Sequence, residues 1–92
     1  MKTMLEKARA GRPLGLTPCI DMHGHIGRYN FPIPDFSGAG LVRAMNRVGV
    51  QKIMVSHINC LSFDAHWDND VVAREMQKFP RRIEGYIGVW PD

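Results

Sequence analysis

The sequence predicts an α/β fold in which three parallel strands alternate with two crossover helices, behind a short N-terminal helix. Three observations carry this expectation. Apolar strand-like runs at residues 19–23, 52–56 and 83–90 are separated by two segments with helical apolar periodicity. Strand, helix, strand, helix, strand is therefore the order, and right-handed crossovers turn that order into a parallel sheet with helices packed on it. The connections are also unequal. Residues 24–36 and 57–68 follow the first two strands, whereas only Gly49 and residues 80–82 follow the helices, against a typical ~2–6 residues. In parallel α/β proteins ligand sites lie beyond the carboxyl ends of the strands, so length and polarity concentrated there point to a site on that side.

Residues 1–10 are expected to form a helix with Met1, Met4, Leu5 and Ala8 on one side, ended by Gly11, Arg12 and Pro13. With the Gly/Pro-rich linker it makes an N-terminal unit, residues 1–18, and residues 19–92 make the strand-and-helix unit. In the first strand, Ile20 and Met22 are expected to pack beneath a helix. Ser37 is a suitable N-cap for a helix over 38–48, on which Leu41, Ala44, Met45 and Val48 form an apolar stripe stopped by Gly49. Ile53, Met54 and Val55 in succession mark a strand covered on both faces. Asn69 is the expected N-cap of a second helix over 69–79, with Val72, Met76 and Phe79, which Pro80 ends.

Composition narrows the function classes. With 92 residues, 45% of them hydrophobic, the chain fits one small domain and has no apolar run able to span a bilayer. No membrane partner is expected. Residues 1–7 lack the apolar core of a signal peptide, so the expected location is cytoplasmic, with Cys19 and Cys60 reduced. The net charge of +3 comes from basic residues interleaved with acids, and only Arg81 and Arg82 are adjacent. A nucleic-acid footprint needs clustered basic residues and a reading motif, so no nucleic-acid partner is expected.

Asp21, His23 and His25 occupy alternate positions, which in a regular strand converge on one face. Two neutral imidazoles one residue apart at the mouth of a strand suit a divalent ion such as zinc, with Gly24 leaving the backbone unobstructed. A His-x-His pair arises by chance about 0.17 times in a chain of this composition, so the spacing alone is weak. Its place at a strand end before a long Gly/Pro loop strengthens it; interior hydrogen-bonded histidines are the alternative. Asp21 is read as a carboxylate one layer below that orients a ligand imidazole. His57 either lines a pocket or is structural, and His66 and Trp67 belong to a solvated loop or a substrate-side lid. Cys60, Asp64 and Asp68 are weaker as ligands. Phe31, Phe36, Phe63 and Trp67 either floor an apolar pocket or cover the rim of the fold.

The run Ile20-Asp21-Met22-His23-Gly24-His25-Ile26-Gly27 resembles the first strand of the amidohydrolase-related metal-dependent hydrolases, a TIM-barrel family that includes decarboxylases of aromatic acids. The resemblance runs through residue 91, with Gly49-Val50-Gln51-Lys52-Ile53-Met54-Val55, Asn69-Asp70-Val71-Val72-Ala73 and Phe79-Pro80-Arg81-Arg82-Ile83-Glu84-Gly85-Tyr86 as scaffold blocks. It implies that the chain is the N-terminal part of a (β/α)8 barrel, about three of eight strands, with His23 and His25 as the first ligands of a catalytic metal. Later strands of such proteins supply further histidines and an aspartate. A small-molecule substrate is implied, and a homo-oligomer or the remainder of the barrel is expected to cover the sheet, including apolar side chains such as Val55 and Val89. The competing readings are a non-catalytic metal-binding or oligomerising α/β module and, last, a flavodoxin-like domain, for which no Gly-rich phosphate loop opens a helix.

Overall fold

The computed structural model describes residues 3–13, 15, 18–28, 35, 37–59 and 64–89. Its order is α1 (Met4–Arg9), β1 (Ile20–Ile26), α2 (Gly38–Val48), β2 (Lys52–His57), α3 (Ala65–Lys78) and β3 (Ile83–Gly85). The three strands form one parallel sheet in the order β1-β2-β3, as the alternation of elements requires.

The short α1 is set by a capping box: the Thr3 hydroxyl accepts from Glu6 N–H and the Glu6 carboxylate accepts from Thr3 N–H. Met4 and Leu5, on its apolar side, are exposed, and α1 contributes no buried residue. Ser37 caps α2 by accepting from Gly40 N–H, and Gly49 closes it with its N–H on Met45 O at 2.9 Å. The apolar stripe then delivers Met45 to the core.

Helix α3 starts four residues earlier than expected. Asp64, not Asn69, is the N-cap, accepting from Trp67 N–H at 3.1 Å. Asn69 instead sits inside the helix and pairs with the backbone of Gly88, donating to its carbonyl at 2.9 Å and accepting from its N–H at 3.0 Å. That pairing also explains why β3 is shorter than residues 83–90. After Tyr86 N–H donates to Val55 O at 2.7 Å, the chain leaves the ladder and takes Asn69 as its partner.

One core cluster holds the fold: Ile26, Met45, Ile53, Val55, Val72 and Ile83. Both α2 and α3 feed it, so they share one side of the sheet. In β2, Ile53, Val55 and His57 are buried while Lys52, Met54 and Ser56 are half-buried, which fixes the parity: the first three face the helices. Val55, expected on an uncovered face, is completely buried, whereas Val89 is exposed. At the amino ends of the strands, Arg82 ties the turn before β3 to the end of α2 and to the α2–β2 connection, donating to Asn46 Oδ1, Val50 O and Gln51 O. A cleft of about 640 Å³ there, lined in part by Pro13, Asn46, Arg81 and Arg82, lies at the end of the sheet remote from the histidines.

β1 departs from the regular strand assumed above. Asp21 pairs with Ile53 and Gly24 with Val55, so two residues, Met22 and His23, stand opposite Met54. This bulge reverses the parity along β1. Asp21 falls level with helix-facing Ile53, His25 with Ser56 on the far face, and Gly24 and Ile26 turn to the core. Ile20 and Met22, expected beneath a helix, are exposed for this reason. The glycine between the histidines serves the core: a Cβ at Gly24 would overlap the Ile53 side chain and crowd Val55.

Candidate metal-binding pair at the end of the first strand

His23 and His25 come together on the face away from the helices. Their Nε2 atoms lie 3.2 Å apart, with ring centroids at 4.9 Å and planes nearly perpendicular. The two rings share this face by ordinary alternation across Gly24, and the bulge shifts the phase of Ile20 and Asp21 instead. Ser56, the β2 neighbour of His25, places its hydroxyl 3.2 Å from His25 Nδ1. We assign the proton to Nδ1, donated to Ser56 Oγ, which fixes the ring and leaves the Nε2 lone pair toward His23.

This spacing fits a metal. Two imidazole nitrogens bound to one tetrahedral ion at ~2.0–2.1 Å stand ~3.3–3.4 Å apart. Both side chains are exposed, so an ion reaches them without opening the fold. Among the described residues no group of three His, Cys, Asp or Glu side chains gathers around one point. The pair therefore offers two protein ligands.

Asp21 does not lie beneath the imidazoles on their face. Its Oδ1 accepts the backbone N–H of His23 at 3.0 Å, so it touches the main chain of a candidate ligand and not a ring. The expectation failed because alternation was carried through a strand that contains an extra residue.

His57 is turned to the helices and buried, with its Nδ1 3.3 Å from Asp68 Oδ1, both side chains being almost fully enclosed. The same Nδ1 lies 3.2 Å from the N–H of Asn59, and it cannot donate to one and accept from the other at once. We assign the proton to Nδ1, directed at Asp68, because a buried carboxylate without a donor costs more than a backbone N–H at the half-buried rim. Trp67 packs edge-on against the His57 ring at 5.8 Å between centroids. Gly27 closes the other side: its φ is +97°, and a Cβ there would overlap the imidazole. His57 is thus a packed, buried member of the helix-facing side.

His66 and Trp67 lie in the first turn of α3 rather than in a loop. His66 is exposed and lines a cavity of about 400 Å³ with Asn69, Ile87 and Val89. Phe31, Phe36, Cys60 and Phe63 lie outside the described residues, and Cys19 carries no disulfide. Tyr86, which sequence reasoning did not single out as a site residue, reaches across the far face to donate its hydroxyl to Met22 O at 2.9 Å. No local pattern announces that contact, since its partner is 64 residues away.

Searches of protein-family models, of curated proteins and of solved structures found no significant match to this chain. No helix among the described residues is long and apolar enough to cross a membrane.

Proposed function

We propose that this chain forms the first strand and helix units of an amidohydrolase-type (β/α)8 barrel and supplies His23 and His25 as two ligands of a catalytic divalent metal, zinc by donor type. The single observation that carries this reading is the 3.2 Å between the two Nε2 atoms, close to the ~3.3–3.4 Å that a tetrahedral ion imposes. Ser56 on His25 Nδ1 supports it, since ligand imidazoles commonly have their second nitrogen held. In the complete enzyme a bound metal would polarise the carbonyl or carboxylate of a small-molecule substrate. Hydrolysis of a C–N or C–O bond and decarboxylation of an aromatic or related acid both fit that chemistry.

Calorimetric zinc titration of residues 1–92 tests the reading. Two protein ligands leave most of the coordination to water, so binding is expected to be weak and turnover of ester, amide and aromatic carboxylate substrates absent. Zinc binding should vanish in His23→Ala and in His25→Ala and persist in His66→Ala. Binding unchanged in both of the first two variants would sink the metal reading.

The exposed apolar side chains Ile20, Met22, Ile87 and Val89 favour a second reading, an oligomerising α/β module. Large apolar side chains and strand edges left in solvent promote association. Light scattering that finds a monodisperse monomer with cooperative unfolding counts against it.

A further inference from the structure

The bulge in β1 displaces one peptide group from the ladder, the one joining Met22 to His23. A displaced peptide still carries a donor and an acceptor that need partners. Here its N–H donates to Asp21 Oδ1 at 3.0 Å, and its carbonyl accepts from the Tyr86 hydroxyl at 2.9 Å. Tyr86 reaches that carbonyl from beyond β3. Gly85 faces Val72 and Met76 on the helix side, so Tyr86 projects from the opposite face, where the two histidines meet. Both ends of a single peptide group are thus held by side chains, one local and one distant.

We propose that Asp21 and Tyr86 are positioning residues for His23, clamping the Met22–His23 peptide and so setting the backbone from which the imidazole reaches His25. A bulge re-aims the side chain it carries, and a peptide plane free to rotate would swing the His23 Cα–Cβ bond with it. Hydrogen bonds to both the N–H and the carbonyl prevent that rotation. In this role Asp21 acts as a hydrogen-bond acceptor and not as a charge, so an amide oxygen can replace it. Tyr86 acts through its hydroxyl alone. The consequence for metal binding rests on the function proposed above, but the clamp is a property of the metal-free protein.

The experiment uses isotope-labelled, metal-free residues 1–92 and the variants Asp21→Asn, Asp21→Ala and Tyr86→Phe. It reads amide hydrogen exchange at His23 and the nuclear Overhauser contact between the His23 and His25 rings, with exchange at Ile53 reporting global stability. Asp21→Asn should keep the ring contact. Asp21→Ala should speed His23 exchange about tenfold beyond any change at Ile53, as for the loss of one hydrogen bond, and Asp21→Ala and Tyr86→Phe should both lose the ring contact. Zinc affinity should fall about 10–100-fold in those two variants and stay near wild type in Asp21→Asn. Asp21→Asn behaving like Asp21→Ala would show that the charge matters and overturn the clamp, and so would a Tyr86→Phe variant that keeps the ring contact. Failure of the wild type to bind zinc would remove the metal reading, while exchange and ring contact would still decide the clamp.

Discussion

Two histidine sites sit near the carboxyl ends of neighbouring strands, on opposite faces of one sheet, and they are built in opposite ways. His57 is enclosed, paired with Asp68, pressed by Trp67 and backed by a glycine with no room for a side chain. His23 and His25 are exposed, and their nearest ring partners are each other and a serine hydroxyl. The covered histidine is closed in by its neighbours, whereas the open pair presents both rings to solvent with their Nε2 atoms 3.2 Å apart. Position at a strand end does not decide what a histidine does. The partners on its ring nitrogens do.

The largest expected effect breaks the covered site. Removing one partner of this buried polar pair leaves the other enclosed without it and opens a cavity, so His57→Ala or Asp68→Ala should lower stability by about 3–5 kcal/mol. The open histidines replaced by alanine should change it by no more than ~0.5 kcal/mol. Urea denaturation of the four variants makes the comparison, and similar losses on both faces would erase the distinction. Gly27→Ala comes next, because the new methyl meets the His57 ring and the backbone holds φ +97°. We expect a loss of about 2–3 kcal/mol, counting the unfavourable backbone conformation, and much of it should disappear in a His57→Ala background if the two effects share a cause.

Asn69→Ala removes two hydrogen bonds to Gly88 and should cost about 1–3 kcal/mol. Exchange at the Gly88 amide should rise first, leaving the His23 and His25 rings in contact. The smallest effect belongs to an exposed carboxylate. The Ser37 hydroxyl, then its N–H and the Arg43 guanidinium, hold Asp35 below the usual carboxylate range. A lowered folded value means that its contribution to stability is complete above the unfolded value near ~3.9 and is lost as pH falls through the folded one. Carboxyl-carbon NMR titration should show Asp35 moving upward in Ser37→Ala. No movement would mean that the hydroxyl is a bystander.

Much of this was legible in the residues because it depends on short-range rules. Ser37 and Gly49 bracket α2 through caps that act over four residues, and the alternation of elements requires the parallel sheet. The shared face of His23 and His25 was also legible, because the strand alternates regularly across Gly24 and the phase shift falls on Ile20 and Asp21. The face of His57 was recoverable: Ile53, Val55 and His57 alternate, but the unbroken run Ile53, Met54, Val55 hides that parity. Asp64 and Asn69 are both suitable caps by residue type, and only the distant Gly88 backbone shows that Asn69 is used elsewhere. The register of β1 against β2 and the reach of Tyr86 are long-range facts with no local signature.

The extra residue in β1 also has a consequence for insertions and deletions. In an unbulged strand, losing one residue exchanges every inward side chain for an outward one on one side of the cut. Here the strand already holds two phases, with Ile20 and Asp21 in one and Gly24, His25 and Ile26 in the other. Deleting Met22 would merge them, removing the displaced peptide and leaving an unbroken ladder whose carboxyl half is still anchored by Ile26 in the core. The region around residue 22 is therefore where this strand can change length by one residue while its core-facing half keeps its place, and any such change would be felt by His23 before any other side chain of the candidate site.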